Sequence, residues 1–220
     1  MSLLDLVLPR RCLVCAESGA ELCERCRGLL PRLPPPLCER CGSPTVWPVR
    51  RCAECSGRRL AFASARAAVI YDERVRTLVA AWKERGQRTV APLAAELVVA
   101  TVPRPDAQTL VPVPADPDRR IRRGHSPAAR LAAELGTRWQ LPVLDTLQRE
   151  EGRPRQRGLP LAQRRRNVAG AFRSTRELRG RVALVDDVYT SGATVAAASS
   201  ALRRAGARRV EVVTFARAVR

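Results

Sequence analysis

The chain has 220 residues, 45% of them hydrophobic and 28% charged, enough for one medium domain and a small module. Aromatics make up only 4%, so a core must be built from Ala, Val and Leu, and no apolar run reaches the roughly 20 residues that cross a bilayer. The formal net charge is +19, and Lys83 is the only lysine among 40 basic residues, so the charge reflects either selection for polyanion binding or a coding bias toward Arg.

Met1 to Pro9 has no basic lead before its apolar residues. No secretory signal is expected, and a cytoplasmic location follows. Residues 9–58 then hold all eight cysteines, as four Cys-x-x-Cys pairs: Cys12/Cys15, Cys23/Cys26, Cys38/Cys41 and Cys52/Cys55. Two thiolates three positions apart bind one metal through a tight turn, so four pairs supply two tetrahedral zinc sites. A disulfide framework is disfavoured without a secretory signal. A single redox dithiol does not explain four pairs, and an iron–sulfur cluster is the remaining alternative. Sequential pairing is the simpler connectivity, with Cys12, Cys15, Cys23 and Cys26 at one site and Cys38, Cys41, Cys52 and Cys55 at the other. Interleaved pairing is the alternative. So small a segment cannot bury enough apolar area to fold alone, and metal binding must stabilise it. Arg10, Arg11, Arg25, Arg27, Arg50 and Arg51 make it either a nucleic-acid contact or a structural and protein-docking module.

A second domain is expected over residues 62–220. Ala65 to Tyr71 reads as a strand. Asp72 is a plausible N-cap for a helix from Glu73 to about Glu84, with Val75, Leu78, Val79 and Trp82 on one face and Gly86 ending it. Lys83 at its end is either a solvated helix-terminal cation or a pyrophosphate contact. Pro92 opens a helix to about Ala100. Thr109 to Pro114 is a strand leaving into a loop, followed by Arg119, Arg120, Arg122 and Arg123. Pro127 sits well as the first residue of a helix to Leu135, and His125 ahead of it is the chain's only histidine, a base, a cap or a stacking group. Pro142 to Leu147 is a weaker strand. Glu150 to Arg166 reads as a mobile basic loop that closes over a phosphate site, or as an exposed charged linker. It carries Arg153, Arg155, Arg157, Arg164, Arg165 and Arg166, with Arg149 just ahead of it. Arg209 to Phe215 is the last strand.

The most informative stretch is Val182-Ala183-Leu184-Val185-Asp186-Asp187-Val188-Tyr189-Thr190-Ser191-Gly192-Ala193-Thr194, followed by an Ala-rich helix over 195–202. Four apolar residues suit a strand buried on both faces. The small residues that follow suit a phosphate nest, in which Gly192 permits close backbone approach and Thr190, Ser191 and Thr194 add hydroxyls. Asp186 and Asp187 would repel a phosphate, so they serve ribose hydroxyls or a hydrated Mg²⁺.

Val182 to Thr194 resembles the phosphoribosyl pyrophosphate (PRPP) motif of type I phosphoribosyltransferases: four hydrophobics, two acids, two hydrophobics and Thr-Ser-Gly-x-Thr. The whole chain resembles the ComF family, a Cys₄ module followed by a phosphoribosyltransferase-like domain. The matching residues are the Cys-x-x-Cys pairs, Tyr71-Asp72 leading to Lys83 and Gly86, Val111 to Pro114, Arg123-Gly124, Gln156, Leu159, Arg164 to Val168, and Phe172. The chain departs from the family at His125-Ser126-Pro127, where Phe-Asn-Gln is usual, at Arg153 for Thr and at Pro160 for Ser. The resemblance implies an α/β fold with a parallel sheet of the Rossmann type beside a double zinc ribbon. It also implies a PRPP site with Mg²⁺, at which Asp186 and Asp187 hold the ribose and the magnesium shell. Residues Thr190, Ser191, Gly192, Ala193 and Thr194 would anchor the 5′-phosphate, and Arg123 would stabilise departing pyrophosphate. The family's role in DNA uptake implies single-stranded DNA and proteins of an uptake machinery as partners. No residue stands out as a base for an acceptor, and the same motif serves regulators that bind PRPP without turnover. Transferase, PRPP sensor and docking module therefore stand as alternatives.

Overall fold

The computed structural model describes residues 10–116, 124–150 and 170–219. Arg119, Arg120, Arg122 and Arg123, and the arginines from Arg153 to Arg166, lie outside the described residues. Eleven helices and strands are assigned among the described residues. They are α1 (Glu24–Gly28), β1 (Ser64–Ile70), α2 (Glu73–Lys83), α3 (Val90–Thr101), β2 (Thr109–Pro112), α4 (Pro127–Trp139), β3 (Leu147–Arg149), β4 (Phe172–Ser174), β5 (Arg181–Tyr189), α5 (Ala193–Arg204) and β6 (Arg209–Arg217). No helix among them is long and apolar enough to cross a membrane.

Four strands form one parallel sheet in the order β1-β6-β5-β2. Its central strands are apolar runs because both faces are covered. In β5, Ala183 and Val185 point into one core and Val182 and Leu184 into the other; in β6, Val213 and Phe215 oppose Val210 and Val212 in the same way. The first core takes α2, α3 and α4, together with Cys12, Cys26, Leu22 and Leu30 of the Cys-rich module. The second takes α5, Leu147 of β3, Phe172 of β4, and Cys38, Cys41 and Cys55. The two halves of the module thus pack on opposite faces of the sheet.

The helix starts follow local chemistry. Asp72 accepts from the Val75 N–H at 2.8 Å, and Ser126 accepts from the Ala129 N–H at 3.3 Å. Among the boundaries that differ from expectation are two helix ends. Helix α3 starts at Val90, two residues before Pro92, because Val90 and Ala91 are buried and a proline is tolerated within the first turn. Helix α4 continues past Leu135 to Trp139, since burial of Trp139 rewards another turn, which Gln140 ends at φ 54°. The segment Pro142 to Leu147 contributes only a bridge from Val143 to Leu110. The strand proper is β3, paired antiparallel with β4 in a separate two-stranded sheet.

Candidate functional site

Strand β5 ends at Tyr189, and its neighbour β2 ends earlier, at Pro112. Asp186 and Asp187 therefore stand where the sheet opens beside the Pro114–Asp116 loop. The Asp187 N–H donates to Asp186 Oδ1 at 2.9 Å. Lys83, the last residue of α2, donates from Nζ to Asp187 Oδ1 at 2.8 Å. Its ammonium is thus an ion-pair partner inside the site, which the sequence left open. Burial, and then the neighbouring charge of Asp187, push the Asp186 carboxyl from 3.8 up to about 7, against the opposing pull of Lys83. The acid pair thus holds less than two full negative charges near neutrality.

The chain turns after Tyr189. Gly192 is buried at φ 70°, and a side chain there would collide with the Tyr189 ring, so only glycine fits. Gly192 is also the N-cap of α5 and, having no side chain, makes no capping bond of its own. The first amides of α5 point out of a helix start with Ser191 and Thr194 beside them, a ready anion cradle. Only one bond inside the loop engages them: Ala193 N–H donates to Ser191 Oγ at 3.4 Å.

A cleft of about 110 Å³ joins these parts, lined by Lys83, Asp116, Ser126, Arg149, Asp186, Asp187 and Thr194 among others. It shares Val113, Pro114, Ala115, Ser126 and Arg149 with a second cleft of about 360 Å³ that reaches Asp145 and Gln148. Arg149 lies over the Phe172 ring, 4.8 Å from its centroid. Sequence reasoning placed Arg149 only in an arginine cluster, just ahead of a basic loop; its position next to the acid pair comes from the β3–β4 pairing. His125 is buried, and its Nε2 lies 2.9 Å from the Trp82 carbonyl, to which the ring N–H donates. It is engaged in holding α2 rather than placed as a base in the cleft. Arg123 lies outside the described residues.

The thiols form two clusters, Cys12, Cys15, Cys23 and Cys26, and Cys38, Cys41, Cys52 and Cys55, with all Sγ atoms in each within 4.8 Å of one another. This is the sequential pairing. Individual separations are 3.7 Å for Cys15–Cys23, 3.7 Å for Cys38–Cys55, 3.5 Å for Cys41–Cys52 and 3.9 Å for Cys52–Cys55. All are far beyond the ~2.05 Å of a disulfide. They match the edge of about 3.8 Å that four sulfurs take around zinc at about 2.3 Å. The protonation chemistry agrees. Burial opposes ionisation of Cys12, yet the amides of Cys15, Cys23 and Val14 bring it down to about 6. Burial and the neighbouring thiols push Cys26 up to about 12. In the second cluster Cys38 falls to about 7, and burial drives Cys41 far upward. Four thiols that cannot all ionise together are a donor set that a dication completes. Amides already aim at the sulfurs: the Cys52 N–H donates to Cys38 Sγ at 3.3 Å and the Cys26 N–H to Cys23 Sγ at 3.5 Å.

Basic side chains gather on the second half of the module. Arg40, Arg50, Arg51 and Arg209, with Glu39 as the one acid, line an open concavity of about 680 Å³. Trp47 stands nearby in sequence, 69% exposed, beside a groove that includes Arg51.

Residues 3–58 match the family described as a double zinc ribbon domain. Competence protein F of Haemophilus influenzae is 31% identical to the chain over 227 aligned positions, which cover 94% of this chain and 97% of that protein. DNA utilization protein YhgH of Salmonella typhi is 30% identical over 226 positions, covering 94% and 96%. Among solved structures, orotate phosphoribosyltransferase from Aeropyrum pernix is similar at 20% identity and a TM-score of 0.38; the match covers 64% of this chain and 63% of that one, less than two-thirds of its length.

Proposed function

The chain belongs to the competence protein F family, and from that premise we propose that it binds PRPP, with Mg²⁺, in the cleft at the end of β5. The observation that carries this reading is one juxtaposition: the Asp186–Asp187 pair, with Lys83 at 2.8 Å from Asp187, stands beside a helix start whose N-cap, Gly192, has no side chain to cap it. Carboxylates accept from ribose hydroxyls, and free amides and hydroxyls donate to a phosphate. A sugar phosphate satisfies both halves at once.

In this reading Thr190, Ser191, Gly192, Ala193 and Thr194 hold the 5′-phosphate, and Asp186 and Asp187 hold the ribose. Lys83 pairs with Asp187 and faces the pyrophosphate, with Arg123 as a further cation for it. A bound Mg²⁺ would neutralise pyrophosphate charge. Fixing the sugar by its phosphate and hydroxyls orients its C1, and such orientation is worth roughly 7–11 kcal/mol in favourable reactions. Among the described residues no side chain is placed as a base for an acceptor. Binding of PRPP is thus the core of the proposal, and transfer of the ribosyl group is its extension.

Titration of PRPP with Mg²⁺ by calorimetry tests the site. Wild type binds and Asp187→Ala does not; equal affinity in the two sinks the assignment. Pyrophosphate release over a panel of nucleobases and ammonia tests the transfer step, and silence across the panel with binding intact favours a PRPP sensor.

Single-stranded DNA is the proposed partner, in a role in DNA uptake that the relatives' names support. The observation favouring it is the Arg-lined concavity and the groove of exposed Trp47, which share Arg51 and so join backbone charge to a stacking surface. Affinity that falls steeply with salt is expected, and a flat dependence counts against it. We also assign the residues to two units, 9–58 and 62–220, in a cytoplasmic protein that docks to an uptake machinery. A pull-down that recovers the same partners without the ribbons would remove them as the docking element.

A further inference from the structure

Arg217 ends β6, and the residue is 1% exposed. A guanidinium stays charged at all relevant pH, so its burial is costly unless every side of it is matched. Three residues match most of it here, Cys41, Glu54 and Tyr189, while Nε has no hydrogen-bond partner among the described residues. Nη1 donates to the Cys41 carbonyl at 2.5 Å. Nη2 donates to Glu54 Oε2 at 2.6 Å and approaches Cys41 Sγ at 3.7 Å. The flat face lies over Tyr189, 4.5 Å from the ring centroid. Tyr189 and Arg217 are register neighbours on β5 and β6.

Tyr189 faces the other way, toward the phosphate loop. It is 3% exposed, it packs edge-on against Phe62 at 6.4 Å, and its ring fills the space that a side chain at Gly192 would take. The path from the second Cys₄ cluster to the loop is therefore two side chains long. A second tether runs in parallel. Arg58, three residues after Cys55, donates from Nη2 to the Ser191 carbonyl at 2.7 Å. Its own backbone is fixed by the bonds of its N–H to the Cys55 carbonyl at 3.3 Å and of Arg51 Nη1 to the Arg58 carbonyl at 3.0 Å. The first Cys₄ cluster has no comparable route among the described residues: it packs in the core on the opposite face, and Arg27 pairs with Glu96 of α3.

The geometry points to the second zinc ribbon as the positioning element of the phosphate loop, with Arg217, Tyr189 and Arg58 as the positioning residues that couple metal at Cys38, Cys41, Cys52 and Cys55 to anion binding at Thr190–Thr194. The inference rests on the PRPP reading of that loop and deepens it. Removing the metal frees the Cys38–Cys41 and Cys52–Cys55 turns, which hold the Cys41 carbonyl, Glu54 and Arg58. The guanidinium then loses its fixed partners, and the loop loses the ring beneath it and the tether on Ser191. Coupling of this kind is reciprocal, so PRPP on the loop holds the second metal more tightly.

The test uses the full zinc-loaded chain. Hydrogen exchange is read on peptides covering Tyr189–Thr194, zinc release is read with a chromogenic chelator, and PRPP affinity is read by calorimetry. Arg58→Ala removes one tether at a half-buried position and keeps the fold; Arg58→Lys partly restores it. Cys15→Ser weakens the first site as a control. The expected results are faster loop exchange in Arg58→Ala with β2 unchanged, a PRPP affinity lower by about 5- to 20-fold, and slower release of one of two zinc ions when PRPP is present. Arg217→Met should act more strongly in the same direction. If PRPP fails to bind wild type while loop exchange still responds to Arg58→Ala and not to Cys15→Ser, the positioning role stands and the ligand assignment falls. If PRPP binds but loop exchange, affinity and zinc release are the same in wild type and Arg58→Ala, the coupling is overturned.

Discussion

Lys83 Nζ meets Asp187 Oδ1 at 2.8 Å across 104 residues of sequence. The only lysine of the chain thus closes a site whose acids come from another strand. Lys83→Met leaves two adjacent carboxylates without that counter-charge. PRPP affinity should fall about tenfold or more, roughly 1.4 kcal/mol. Lys83→Arg keeps the charge but not the compact ammonium, and should recover only part of the affinity. Calorimetry in Mg²⁺ buffer reads both.

Asp186 gives the protein a pH signature. Its folded-state carboxyl sits at about 7, raised by burial and then by Asp187. An unfolded aspartate releases its proton near 3.8, so the folded chain binds more protons between those values. Stability therefore falls as pH rises from about 4 to about 7 and levels off above. Asp186→Asn removes this slope, gaining on the order of 1–3 kcal/mol over wild type above pH 7 and roughly a third of that at pH 5. Urea midpoints from pH 5 to 8, with zinc retained, check it; parallel curves would show that Asp186 ionises freely.

Metal analysis should return about two zinc ions per chain. Cys55→Ser should leave one. Structural zinc contributes roughly 10–16 kcal/mol in small modules, so the second ribbon should become open to limited proteolysis, while Cys12–Cys26 stays protected. Retention of both ions in Cys55→Ser would reject the sequential ligand sets.

Gly192→Ala forces a side chain into φ 70° and onto the Tyr189 ring. The conformational cost alone is about 1–2 kcal/mol. The loop must move to relieve the contact, so PRPP affinity should drop more than global stability. Thermal melting and calorimetry on the same preparation separate the two.

For single-stranded DNA, Trp47→Ala should cost about 1–3 kcal/mol if the indole stacks on a base. Arg50→Ala and Arg51→Ala should each lower the salt slope by about one phosphate contact. An unchanged slope in the double variant would place the DNA on the arginines of residues 119–123 or 153–166.

Much of this was legible in one dimension. The four Cys-x-x-Cys pairs announced two Cys₄ centres, since a ligand pair in a tight turn is local chemistry. The run Val182 to Thr194 announced a buried strand and a small-residue loop ahead of a helix. Asp72 and Pro127 announced helix starts, because a cap and a first-turn proline act within a few residues. The β3–β4 pairing was not legible, because strands three residues long are defined by their partner more than by any periodicity. His125 illustrates the same limit: nothing near it in sequence shows that its ring will be buried against the Trp82 carbonyl.

The sequence by itself determined the parts: that four thiol pairs can fill two Cys₄ centres, which residues enter the sheet, and that a small-residue loop precedes a helix. Spacing and side-chain type are enough where the interacting groups lie a few bonds apart. Only the tertiary structure decided which parts meet. Lys83 reaches Asp187, and Arg217 reaches Cys41 across 176 residues, because the parallel order β1-β6-β5-β2 sets the strand ends side by side. A charge gains its energy from its neighbours in space, and the register of the sheet chooses those neighbours.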